Sequence, residues 1–168
     1  MMIRKIIWTV IFGIIAAILQ STLLSRLAIY HAVPDIALGI IVYSAYVNGV
    51  MTGQLSGFFY GIALDFLSAA PLGLNALIRT IIGALAGLFK GKFFLDFFLL
   101  PVILCVLATI AKVLMFFLLN LILPDSVPVY RLAAPTLWVE LAMNAAIAPF
   151  LFALLKRFRP LFSERNDV

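Results

Sequence analysis

Residues 49–65 read Gly49-Val-Met-Thr-Gly53-Gln-Leu-Ser-Gly57-Phe-Phe-Tyr-Gly61-Ile-Ala-Leu-Asp65. Glycine recurs every fourth position and Asp65 continues the series. At 3.6 residues per turn this spacing drifts slowly around one face of a helix. Small residues on such a face let a second backbone approach closely, which is how helices associate where no hydrophobic force drives them together. Further on, Arg79, Gly83 and Gly87 repeat the spacing. The two stretches therefore predict helices that pack by their glycine faces across the turn Pro71-Leu72-Gly73. Asp65 and Arg79, each on the glycine face of its own helix and near its outer end, are expected to lie beside one another.

The rest of the chain supplies the solvent for that packing. Of 168 residues, 65% are hydrophobic and 11% charged, with a mean hydropathy of +1.21. Soluble domains carry about 45–50% apolar and about 25% charged residues, so a water-soluble globule, a disordered chain and a secreted disulfide scaffold are all excluded. The bilayer is the expected solvent. Cys105 and His31 are the lone representatives of their types. No internal disulfide and no Cys/His metal cluster can form, and no cofactor is expected. The net charge of +5 raises a nucleic-acid partner, but most basic residues flank apolar runs, where membrane topology accounts for them.

A helix needs about 20 apolar residues to cross the roughly 30 Å hydrocarbon core. The chain is read as an all-α, polytopic membrane protein, one integral membrane domain over 1–168, with six spans at 6–24, 36–50, 52–68, 73–89, 97–122 and 134–155. The first is read as a retained helix, because no small-x-small cleavage site follows its apolar stretch. Asn48-Gly49 and Thr52-Gly53-Gln54 mark the turn between the second and third. Six crossings place Arg4, Lys5, Lys90, Lys92, Lys156, Arg157, Arg159 and Arg165 on one side and Arg26 and Arg131 on the other. That asymmetry puts both termini in the cytoplasm. Pro34-Asp35 opens the second helix, Pro124, Pro128 and Pro135 frame the longest outer loop, and Pro149 is expected to kink the sixth helix. Trp8, Phe93, Phe94, Tyr130 and Trp138 fall near the predicted interfaces. All loops are short, so any work is done within the membrane or at its surface.

A second polar set lies deeper. Lys112 and Asn120 share a stripe on the fifth helix, as do Glu140 and Asn144 on the sixth. At 1.5 Å per residue, Lys112 and Glu140 differ in depth by about 6 Å, within reach of a lysine side chain. A charge at a helix centre costs about 2.5–3.5 kcal/mol, so partners inside the bundle are expected. The intramembrane charges Asp65, Arg79, Lys112 and Glu140 sum to zero. Such a set fits an ion or proton path, a ligand pocket or a dry structural pair. Catalysis is not expected. There is no paired-acid protease signature, no Ser–His arrangement and no phosphate-cradling loop.

One stretch resembles a known family. Pro34-Asp35-Ile-Ala-Leu, then Gly53-x3-Gly57-Phe58-x2-Gly61-x3-Asp65, then Pro71-Leu72-Gly73-x2-Ala76-Leu77 is similar to the bacterial rod-shape-determining membrane protein family MreD. The resemblance implies a non-enzymatic subunit of the cell-wall elongation machinery in the bacterial cytoplasmic membrane. Its implied partners are MreC, the glycosyltransferase RodA with its transpeptidase, and MreB. It also implies a bundle similar to the substrate-binding subunits of energy-coupling-factor transporters. A small-solute transporter subunit is therefore the alternative function. Under either reading Gly53, Gly57, Gly61, Gly83 and Gly87 form a helix-packing or partner face.

Overall fold

Gly49 is the one residue that separates the second helix from the third. Its φ of 96° is open to glycine and strained for other residues, and its N–H still donates to the Ala45 carbonyl at 2.7 Å. The computed structural model describes residues 2–22, 32–68, 70–91, 98–124, 127 and 134–162. Arg26, Tyr30, His31, Lys92, Phe93, Phe94, Asp125, Pro128, Tyr130, Arg131 and Arg165 lie outside the described residues. So do residues 23–24 of the first predicted span.

The helices are α1 (Met2–Thr22), α2 (Ile36–Asn48), α3 (Val50–Leu67), α4 (Leu74–Gly87), α5 (Leu99–Ile122), α6 (Pro135–Arg157) and the short α7 (Arg159–Phe162). The turn expected at Thr52-Gly53-Gln54 is instead helical. The chain reverses wholly at Gly49, and α3 begins at Val50. The three helices α1, α5 and α6 are long and apolar enough to cross a membrane, whereas α2 and α4 are apolar but shorter. At 1.5 Å per residue, the 13 residues of α2 extend about 20 Å, less than the roughly 30 Å hydrocarbon core.

The packing follows from burial. Every residue of α2 from Ala37 to Ala45 is buried, so this helix is apolar all round and is enclosed by the others. It packs against α1, α3, α4, α5 and α6. Thr9 of α1 meets Ser44 of α2 through a buried 2.7 Å hydrogen bond between their hydroxyls. Outside the bundle, Ile3, Ile7, Ile11, Ile15 and Ile18 of α1 and Leu114, Phe117 and Leu121 of α5 are exposed. Apolar faces that water would reject are ordinary against lipid tails.

Successive helices run in alternating directions and define two ends. At one, Arg4 donates to the Pro160 carbonyl at 3.0 Å and Lys90 Nζ reaches the Asn48 carbonyl at 3.4 Å. Phe12, Tyr43, Phe152 and Phe162 interlock beside them, with ring centroids 5.2–5.9 Å apart. This is the Arg4 end. At the opposite end, the Asp35 end, Gln20 Nε2 donates to the Pro34 carbonyl at 2.7 Å, tying the finish of α1 to the start of α2. The helix α6 runs unbroken through Pro149, opens with Pro135 at its first turn and closes with Lys156 and Arg157 in its last. Proline suits the first turn, and the cations complement the dipole of the last.

Candidate functional site

The α3–α4 pair is the most extensive helix contact of the fold. A Cβ built on Gly57 would lie 2.6 Å from the Arg79 carbonyl carbon, and one on Gly83 would lie 2.5 Å from the Gly53 carbonyl carbon. On Gly61 it would meet Ala76 N at 2.6 Å, and on Gly87 it would meet Val50 N at 2.5 Å. All five stripe glycines are thus occupied by contact between α3 and α4, backbone against backbone. A partner has to be met on another face.

Asp65 ends the stripe in a way the spacing did not suggest. Its carboxylate accepts from Gly73 N (2.9 Å), Asn75 N (2.9 Å), Asn75 Nδ2 (2.9 Å) and Ala76 N (3.2 Å). The first turn of any helix has N–H groups without intrahelical partners, and a carboxylate both accepts from them and complements the dipole. The residue before α4 is Gly73, which has no side chain to cap with. Asp65 does that job from the neighbouring helix.

Arg79 therefore does not pair with Asp65 as expected. Its Nη2 donates to Asp35, at 3.0 Å to Oδ2 and 3.3 Å to Oδ1. Lys112 Nζ bridges Asp35 Oδ2 at 3.0 Å and Glu140 Oε1 at 2.5 Å. The charges joined are Asp35, Arg79, Lys112 and Glu140. Two acids and two bases still cancel, with Asp35 where the sequence suggested Asp65. All four are largely withdrawn from the surface, with side-chain exposures of 7–12%. Burying charges costs more than pairing returns unless geometry and hydrogen bonding are good. Here the quartet is braced on several sides. Asp35 caps α2 through Leu38 N at 3.0 Å, and its own N–H donates to Asn144 Oδ1 at 2.7 Å. Asn144 Nδ2 donates to Thr109 Oγ1, which donates on to the Cys105 carbonyl. The Arg79 guanidinium carbon stands 4.8 Å from the Tyr60 ring centroid, within cation–π range. Asn120, the expected companion of Lys112, instead donates to the Pro124 and Val127 carbonyls beyond the end of α5.

The quartet forms the floor of a recess of about 430 Å³, lined also by Gln20 and Tyr60. The short α2 explains it. Asp35 precedes α2, yet Arg79 lies five residues inside α4, Glu140 five inside α6 and Lys112 ten inside α5. At 1.5 Å per residue the floor sits about 7–15 Å below the ends of those helices. A second cavity of about 130 Å³, bounded by Asn75, Ile78 and Phe116, touches Arg79 and Lys112 from the other side. Among the described residues, no group of three or more His, Cys, Asp or Glu side chains could hold a metal ion. The floor can hold charge and hydrogen-bond a polar molecule.

Compared with family models, residues 2–158 match the rod shape-determining protein MreD. The chain belongs to the MreD family. The match runs through α5 and α6 as well as the Pro34–Gly87 stretch, so Lys112 and Glu140 fall inside it. No curated protein and no solved structure matches the chain. Membership in the MreD family makes this a membrane protein with a role in rod-shape determination, and the family is one of structural, shape-determining proteins.

Proposed function

We propose that the chain is a non-enzymatic, multi-pass scaffold of the wall-elongation complex in the bacterial cytoplasmic membrane. It crosses six times as one membrane domain, with the Arg4 end in the cytoplasm. Its partners are MreC, RodA with its transpeptidase, and MreB, and it helps position peptidoglycan synthesis. The observation that carries this reading is the MreD family match over residues 2–158. The alternating helices and the cations Arg4, Lys5, Lys90, Lys156 and Arg157 at one end support the orientation, because basic residues accumulate on the cytoplasmic side. The short α2 is enclosed by the other helices, and the short α4 packs against α2, α3 and α5 with Leu77 and Leu85 on its outer face. The likeness to substrate-binding subunits of energy-coupling-factor transporters extends, in this proposal, to helix number and alternation. Mechanically, the glycine contact makes α3 and α4 one rigid unit, and rigidity in a shared subunit holds several membrane proteins in a set geometry.

Affinity purification of the tagged chain from native membranes tests the proposal. Recovery of MreC and the wall-synthesis enzymes is expected. Recovery of an ATPase module in their place would overturn the scaffold reading and favour a transporter.

A further inference from the structure

The two faces of α4 are packed very differently. Against α3 its backbone is in contact, whereas it touches α5 sparsely. Ala86 of α4 and Ala108 and Ala111 of α5 line the seam with α5, and their methyl groups leave the space between the helices unfilled. An open groove of about 210 Å³ results, with the half-exposed Leu85 and Leu107 on its rims. Its lining side chains are all apolar, so water gains nothing there. Left empty, the lining would lose the contacts that packed atoms make.

The shape of the groove selects among apolar occupants. From Ile82 to Phe89 it runs about 10 Å at 1.5 Å per residue, which gives a mean cross-section of about 20 Å². An α-helix, about 10 Å across, presents about 80 Å². A single hydrocarbon chain fits where a helix does not. Past Ile82 the same seam meets Arg79 and Lys112 and turns polar, so an apolar chain has to stop there. Lys90, the residue after Phe89, stands at the other end, about 12 Å from Ile82. That length is close to half of the roughly 30 Å hydrocarbon core, the depth of one leaflet.

Charge selects the headgroup. Among the described residues the carboxylates Asp35, Asp65 and Glu140 all lie in the Asp35 half, while Lys90 at the mouth of the groove is exposed. Its Nζ makes one long contact, 3.4 Å to the Asn48 carbonyl, and an ammonium has three donors. Its flexible stem lets the charge follow a phosphate.

We propose that the α4–α5 groove holds one acyl chain of an anionic phospholipid from the leaflet at the Arg4 end, with the lipid phosphate on Lys90. A lipid seated there completes the packing that the alanines leave open and ties α5 to the rigid α3–α4 unit. The site does not depend on which proteins the chain meets, a question that recovery of partners answers separately.

The test uses the full chain purified in mild detergent. Native mass spectrometry compares retention of phosphatidylglycerol and phosphatidylethanolamine with identical acyl chains at equal mole ratio. One retained lipid per chain is expected, with phosphatidylglycerol preferred about fivefold, the effect of one basic side chain at an anionic surface. Lys90→Gln should abolish the preference. Arg157→Gln, at an exposed cation of α6 that lines no part of the groove, should leave it intact. Ala111→Phe fills the groove and should lower retention of both lipids about fivefold or more. If that variant does not fold, the parent chain decides, labelled with phosphatidylglycerol carrying a photoreactive diazirine in its acyl chain. Modification should concentrate on Leu85 and Leu107 rather than on the exposed Ile7 and Ile11 of α1. The proposal is overturned if the two lipids are retained equally, if Arg157→Gln lowers the preference as much as Lys90→Gln, if a folded Ala111→Phe retains lipid as the parent does, or if the label spreads evenly over both surfaces.

Discussion

Replacing Lys112 with methionine keeps the length of the side chain and removes one charge. In the parent protein Lys112 holds Asp35 at 3.0 Å and Glu140 at 2.5 Å. In the variant, Asp35 keeps Arg79, but Glu140 loses the cation that balances it and the floor carries a net charge of −1. Breaking a buried pair from one side costs about 3–5 kcal/mol, most of it the penalty for the charge left behind. Adding Glu140→Gln removes that surviving charge. Asp35 and Arg79 then remain as a complete pair, and a buried pair replaced on both sides is often nearly neutral. Lys112→Met/Glu140→Gln should therefore be more stable than Lys112→Met alone, by about 2 kcal/mol or more, a coupling of the size seen between residues in contact. Denaturant unfolding of the four proteins in the same detergent, followed by the fluorescence of Trp8 and Trp138, measures it. A double variant whose destabilisation equals the sum of the singles would refute the view that these charges act as one neutral set.

Three further outcomes follow from the same contacts. Gly57→Ala drives a methyl into the Arg79 carbonyl and should cost about 1–3 kcal/mol by overpacking, while Gly57→Leu should prevent folding; unfolding midpoints and monodispersity on size exclusion check both. Asp65→Asn weakens charge-assisted caps worth about 1.5–3 kcal/mol each when intact, and its effect should add to that of Arg79→Met, because the two residues bond to different partners; a thermal-shift cycle showing strong coupling would restore the pairing of Asp65 with Arg79. Thr9→Val leaves Ser44 buried with its 2.7 Å partner gone and should cost about 1–3 kcal/mol, whereas Thr9→Val/Ser44→Ala recovers most of that loss, as read from the same unfolding curves.

The positions and order of the helices were legible because apolar runs and Gly/Pro punctuation are local signals. The end of α2 at Asn48 and the opening of α6 at Pro135 follow from single residues. The close approach of α3 and α4 was legible from the four-residue spacing of glycine. The charge partners were not. Asp65 and Arg79 are separated by one short turn, and nearness in sequence made them look like a pair. The decisive fact is that α4 is preceded by a glycine, which has no side chain to cap it, so its first N–H groups claim the nearest carboxylate. Asp35 reads as a helix opener after Pro34, and it does cap α2. Its second role requires knowing that α2 is central, which only the packing of the other helices decides. The continuous apolar run after Asp35 does not decide this, since a helix without a polar face suits contact with lipid as well as the centre of a bundle. Tyr60 carries no local signal at all. It is one aromatic in a glycine-rich helix, and its position beside Arg79 exists only in the assembled bundle.

The joint at Gly49 has a practical corollary for anyone mapping this chain with inserted epitopes or reporter fusions. The Gly49 N–H is engaged with Ala45, and the Gly49 carbonyl accepts from Gly53 at 3.0 Å, so the hairpin offers no slack in which foreign sequence could be housed. A reporter spliced between Asn48 and Val50 would pry apart two helices that share one residue, and its signal would describe the damaged hairpin.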